Sequence, residues 1–370
     1  MDELLDDGML LAIDADGHLI EPNDLADTYF PEHLRDRAPR YMQNPEGKNR
    51  FHFDGTFHPP FPNLVSIRKP MEASNRIRVL DNEGIQATVL FPSLGLLMAY
   101  IDDPEIAVAG MRAYNEWVTD YCAPYPDRLK AVGMLVLHDI DAAVDQAKRA
   151  VLDRGHVAVA IRPNPWAGRN LDDPAYDKLY ATVEELGVPL IVHESTGCPQ
   201  TLGSDRYGIT NGDAYTFNHI ISHSFEQMFG AMSLICGGVL ERHPRLKVGF
   251  FEAGCSWVPY WLGRLDGHFE HRSMRKQMPN ISMKPSEYFM RQCVVTCDPD
   301  DHTIPLAIQG IGSEKILFAS DYPHFDSGGG PVREFLSQEG ISRQDQIKIM
   351  RENALAFFDL RIPAMEAAAE

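Results

Sequence analysis

The sequence predicts an α/β protein closed into a (β/α)8 TIM barrel. Eight short apolar runs recur along the chain, helix-like amphipathic segments lie between them, and no glycine-rich dinucleotide fingerprint follows the first run. The runs cover residues 9–15, 85–91, 130–136, 156–162, 188–193, 246–252, 293–297 and 315–321. Most are rich in Val, Ile, Leu and Phe without alternation, as expected of strands buried on both faces of a parallel sheet.

Helices are expected over 104–121, 140–152, 176–186, 225–240 and 342–358. The first carries Ile106, Met111, Tyr114 and Trp117 near helical spacing, the third stops at Gly187, and the last starts behind Ser342, a capping residue.

The chain has 370 residues, whereas a barrel of this type needs about 250. The excess falls in a long inserted segment after strand 1, residues 23–70, and a long Gly/Asp/Thr-rich loop after strand 5, residues 196–215. In the insertion, Asp54-Gly55 between alternating aromatics signals a hairpin. Both segments follow strands and so emerge on the catalytic face, and 23–70 is read as a lid or a dimer arm. Residues 1–370 are expected to form one domain, and a homodimer is expected.

Lys plus Arg total 34 and Asp plus Glu 53, a formal net charge of −19, with no basic cluster, so nucleic acid and anionic membrane surfaces are unsuitable partners. The six cysteines show no CxxC pairing and read as buried free thiols. No apolar run is long enough for a membrane span, and the acidic N-terminus lacks the basic region of a signal peptide, so a cytoplasmic location is expected.

Chemistry accumulates where strands end. Strand 1 runs into Asp16 and His18, strand 4 ends in Arg162, and strand 5 in His193-Glu194. Strand 6 ends in Glu252, strand 7 runs to Cys297-Asp298, and strand 8 ends in Asp321. Catalytic groups of such barrels come from the C-terminal ends of several strands. In an extended strand Asp14, Asp16 and His18 share one face, and acids and an imidazole converging there become reasonable around a cation. Imidazoles and carboxylates from strands 1, 5 and 8 make a mixed N/O set suited to one divalent metal ion: Zn, Fe or Mn.

Four motifs carry a resemblance. They are Asp-Ala-Asp-Gly-His-x-x-Glu-Pro (14–22), Ile-Arg-Pro-Asn-Pro (161–165), Val-Pro-Leu-Ile-Val-His (188–193) and Phe-Ala-Ser-Asp-Tyr-Pro-His (318–324). Their order and spacing resemble the amidohydrolase-related branch of the amidohydrolase superfamily, the branch of aminocarboxymuconate-semialdehyde decarboxylase and aromatic-acid decarboxylases. The resemblance implies a metal-dependent barrel with Asp16, His18, His193 and Asp321 as metal ligands. Asp16 replaces the first histidine of the family's His-x-His. Glu252 stands where decarboxylases of the branch place a strand-6 histidine.

That second departure favours hydrolysis. The expected reaction is cleavage of an amide, ester or thioester in a small carboxylic-acid derivative by a metal-activated water, with Asp321 or Glu252 taking the proton. Non-oxidative decarboxylation of an aromatic or enoic acid is the alternative, and a non-catalytic binding barrel is the third reading. His219 and His223, four apart, share a face of a predicted helix: His223 is expected to act on the substrate and His219 to line the pocket. His324 is expected to orient Asp321 or line the entrance, and Trp166 to wall an organic substrate. Arg162 would clamp a substrate carboxylate or form a structural ion pair.

Overall fold

The computed structural model describes residues 5–6, 9–53, 56–57, 70–194, 202–207, 215–324, 327 and 329–363. Its centre is an eight-stranded parallel sheet: β1 (Ala12–Leu19), β2 (Ile85–Pro92), β3 (Leu129–Met134), β4 (Ala158–Ile161), β5 (Leu190–His193), β6 (Val248–Phe251), β7 (Cys293–Cys297) and β8 (Ile316–Phe318). Each strand pairs with its sequence neighbour, the register of a barrel wound in chain order. The seam between β1 and β8 is joined just past β8. Asp321 N–H donates to the Asp16 carbonyl at 2.9 Å, and His18 N–H to the Tyr322 carbonyl at 2.8 Å.

Helices alternate with the strands as the apolar periodicity requires: α1 (Ala73–Glu83), α2 (Pro104–Cys122), α3 (Ile140–Lys148), α4 (Asp177–Leu186), α5 (Tyr215–Cys236), α6 (Trp257–Glu270) and α7 (Ile304–Ile311). Asp103 caps α2 by accepting from the N–H of Glu105 at 2.8 Å. Gly187, at φ 74°, ends α4 as its sequence position predicts. Several boundaries differ from expectation, among them the segment expected over 140–152, which passes into a wider π-turn at Arg149–Asp153. Helix α5 starts ten residues before 225, and the segment expected over 342–358 is interrupted by a wider π-turn at Lys348–Glu352.

In the first insertion, strands Arg40–Gln43, Asn49–Phe53 and Thr56–Phe57 form a small antiparallel sheet. The Asp54-Gly55 turn, residues 58–69 and most of 196–215 lie outside the described residues. No described helix is long and apolar enough to cross a membrane.

Candidate metal centre and active site

Strand β1 sets the site. Between Asp14 and Gly17 its register against β2 shifts by one residue, a bulge that breaks simple alternation. Asp14 is consequently consumed by structure. Its carboxylate accepts from Thr88 Oγ1 at 2.7 Å, Ser320 Oγ at 2.8 Å and Ser320 N–H at 2.8 Å. Asp16 and His18, both fully buried, reach the barrel axis instead. There Asp16 Oδ1 lies 3.5 Å from His18 Nε2 and 3.3 Å from Nε2 of His193, the last residue of β5.

Tautomers follow from the outer contacts. His18 Nδ1 donates to the Pro92 carbonyl at 3.0 Å, and His193 Nδ1 to the Glu194 carbonyl at 2.8 Å. A carbonyl only accepts, so each Nδ1 bears the proton and each Nε2 offers a lone pair to the centre.

Glu252 and Asp321 close the other side from just beyond β6 and β8. Both adopt left-handed backbone (φ 57° and 52°), which is costly for residues with a Cβ and is typical of functional positions. Asp321 Oδ1 is 3.2 Å from His18 Nε2 and 2.9 Å from His324 Nδ1. The His324 ring stacks on His18 with centroids 3.9 Å apart, and its Nε2 meets Ser93 Oγ at 3.0 Å. Glu252 Oε1 lies 3.5 Å from His223 Nε2 and 3.7 Å from His324 Nδ1.

Two overlapping donor groups result, Asp16/His18/His193 and His18/Glu252/Asp321/His324. Buried His18 Nε2, Glu252 Oε2 and Asp321 Oδ1 make no hydrogen bond. Buried polar atoms that converge without hydrogen-bond partners fit a divalent cation, and imidazole plus carboxylate suits Zn, Fe or Mn.

Burial and the neighbouring charges divide the titrating groups of this cluster. Burial, opposed by His18 and reinforced by Glu252 and Asp321, raises Asp16 well above the usual carboxylate range. At Glu252 burial is outweighed by His223, His324 and His193, and the carboxyl falls well below that range. Burial disfavours a charged His324, but Asp321 and Glu252 overcome it and raise that imidazole well above the ordinary histidine range. Burial pushes Asp298 up to about 8, with Asp321, Asp301, Asp300 and Glu252 adding to it.

A cleft of about 330 Å³ opens onto this cluster, lined in part by Asp16, His219, His223, Glu252, Asp298 and Asp321. His219 and His223 pack edge to face on α5. Arg162 and Trp166 line a separate small void with His138 and Asn164. Arg162 pairs with fully buried Glu194 at 2.5 Å, and the Trp166 ring lies tilted against His138. Of the two roles open to Arg162, the ion pair is present. Residues not singled out as site residues in the sequence also shape the cleft. Asp298 lines it one residue past β7, and buried Arg76 on α1 braces its floor from behind. The strand-end position of Asp298 was the available signal; Arg76 had none.

Residues 13–360 match the family model described as amidohydrolase, Amidohydro_2. The chain is 28% identical over 295 residues to γ-resorcylate decarboxylase of Rhizobium sp. (strain MTP-10005), covering 77% of this chain and 86% of that one. It is 25% identical over 285 residues to 2-amino-3-carboxymuconate-6-semialdehyde decarboxylase of Dictyostelium discoideum, covering 77% and 76%. Its fold matches a dihydroxybenzoic acid decarboxylase from Polaromonas sp. JS666, solved with bound manganese and the inhibitor 2-nitroresorcinol. That match has a TM-score of 0.68 at 22% identity, covering 95% of this chain and 97% of that one.

These relatives are decarboxylases, which overturns the expected amide, ester or thioester hydrolysis. That expectation weighed Glu252 as a missing imidazole on β6. His223 from α5 and His324 from beyond β8 both flank Glu252, so imidazoles stand at that point without one on the strand. With a family match running from β1 to the last helices, and relatives of this chemistry, the chain is an enzyme of the amidohydrolase family, in its aminocarboxymuconate-semialdehyde decarboxylase-like branch.

Proposed function

We propose that the chain is a metal-dependent, non-oxidative decarboxylase of a small aromatic carboxylic acid. One observation carries the reading: Glu252 lies between the imidazoles of His223 and His324 at the inner end of a cleft whose floor is a cation-ready donor set. Asp16, His18, His193 and Asp321 would hold the ion. When bound, the cation supplies the positive charge that anchors a substrate carboxylate.

The remaining work falls to the chain. His223 lines the cleft and presents Nε2 toward Glu252 Oε1. Burial lowers its pKa and Glu252 works against that, which leaves a strong acid at this atom once it is charged, the proton donor to the ring carbon that bears the carboxylate. Protonation at carbon is followed by cleavage of the carbon–carboxylate bond. Its electron pair returns to the ring, CO2 leaves, and a hydrogen occupies the vacated position. Ionised Glu252 Oε1 stands between His223 and charged His324, which is the source of the replacement proton for His223. Asp321 steadies His324 through the 2.9 Å contact to Nδ1.

Turnover of hydroxybenzoates in D2O tests this. One deuterium at the carbon that lost the carboxylate is expected, and recovery of unchanged acid across the panel would refute the reading.

A further inference from the structure

Strands β1 and β8 form no ladder with each other among the described residues, although the barrel brings them side by side. Through Ala319 the chain stays tied to β7, the Ala319 N–H donating to the Cys297 carbonyl at 3.3 Å. At Ser320 the partners change. Ser320 N–H donates to Asp14 Oδ1 at 2.8 Å, Asp321 N–H to the Asp16 carbonyl at 2.9 Å, and Tyr322 N–H to Ser320 Oγ at 3.2 Å. Ser320 Oγ in turn donates to Asp14 Oδ2 at 2.8 Å. The residues on both sides of Asp321 are therefore fixed by one carboxylate from β1, reached directly or through a hydroxyl.

Asp14 acts on Asp16 as well, since Oδ1 also accepts from the Asp16 N–H at 3.4 Å. One oxygen of a fully buried carboxylate thus bridges the amide of one assigned ligand and the amide preceding another. Thr88 Oγ1 of β2 braces the far side, donating to Oδ2 at 2.7 Å. Gly17, between Asp16 and His18, leaves room for this arrangement. A Cβ there would stand 2.4 Å from Thr88 Oγ1, 2.6 Å from Arg76 Nη2 and 2.7 Å from Asp14 Oδ2. Asp321 needs such support, because its φ of 52° is a costly conformation for a residue with a Cβ unless the surroundings hold it.

We infer that Asp14 is a positioning residue of the metal centre: through Ser320 it holds Asp321 in its left-handed turn, within reach of a cation shared with Asp16 and His18. Asp14 touches neither cation nor substrate. Outer partners that orient a ligand set how tightly the ion is held, so loss of this clasp is read in metal affinity and not in folding alone. The inference rests on Asp321 as a ligand, as in the proposed decarboxylase, and not on the reaction.

Calorimetric titration of manganese into the metal-free full chain tests it, with the EPR spectrum of the bound ion and the urea midpoint taken on the same samples. Asp14→Ala removes the whole clasp and should weaken manganese binding about 10- to 100-fold. Ser320→Ala removes only the hydroxyl between Asp14 and the Tyr322 amide; it should weaken binding about tenfold and alter the spectrum at saturation. Thr88→Val takes a hydrogen bond from the same carboxylate on the side away from Asp321. Its urea midpoint should fall about as far as that of Ser320→Ala, with affinity within about threefold of the parent and an unchanged spectrum. Parent-like affinity and spectrum in folded Ser320→Ala overturn the inference, whether or not Asp14→Ala folds. So does an equal loss of affinity in Thr88→Val, which would make the carboxylate a general support of the seam. A parent chain that binds no manganese refutes the ligand assignment itself. Manganese binding with the expected losses but no CO2 from any acid would refute the reaction and leave the inference standing.

Discussion

His18 Nε2 lies 3.2 Å from Asp321 Oδ1, and neither atom makes a hydrogen bond. Because His18 Nδ1 spends its proton on the Pro92 carbonyl, two lone pairs face each other across that gap. A cation between them removes the repulsion. Elemental analysis should find one divalent metal per chain. His18→Ala, which deletes the atom shared by both donor groups, should weaken metal affinity by more than the roughly 10- to 100-fold that loss of an outer partner costs. Full metal content in that variant would contradict the assignment.

Arg76 should act on the same centre from behind. Its buried guanidinium donates from Nη1 to the carbonyls of His18 at 3.2 Å and Tyr322 at 3.0 Å, spanning the β1/β8 seam. Arg76→Met leaves both carbonyls without this partner and should cost about 2–4 kcal/mol in urea denaturation. Metal titration should show weakened binding in the variant that remains folded.

His223→Gln keeps the size and polarity of the side chain but removes the proposed proton donor. Turnover should fall about 10²–10⁴-fold. Metal content and the urea midpoint should stay near those of the parent, because His223 belongs to neither donor group.

His156 gives the chain an acid-side weakness remote from the cleft. It is buried, with Nε2 donating to Thr119 Oγ1 at 2.8 Å, and burial pushes its pKa down to about 4. Below an unfolded value of about 6.5 the unfolded chain takes up a proton that the folded chain refuses. Stability should therefore fall as pH drops from about 6.5 toward 4, by at most about 3 kcal/mol from this group. In urea titrations at pH 7 and pH 5, His156→Gln should narrow the difference between midpoints.

Much of the barrel was legible because each buried strand is a compact apolar run, and the cluster of ionisable side chains was legible because Asp16, His193, Glu252 and Asp321 stand where those runs stop. The rest depended on partners distant in sequence. The bulge that diverts Asp14 is a register relation with β2, visible in neither strand alone. The early start of α5 carries no capping or charge signal, since Tyr215-Thr-Phe-Asn218 resembles loop and helix equally. Arg76 finds the Tyr322 carbonyl 246 residues away. The reaction was misjudged for the same reason: Glu252 was weighed on its own strand, whereas the imidazoles beside it arrive from two other elements.

The most direct measurement is release of labelled CO2 from carboxyl-¹³C hydroxybenzoates by the manganese-loaded chain, run beside the chelated protein. The account predicts one labelled CO2 per acid consumed with the metal present, and none after chelation. Consumption of the acid without labelled CO2, or release that persists undiminished without metal, would contradict it.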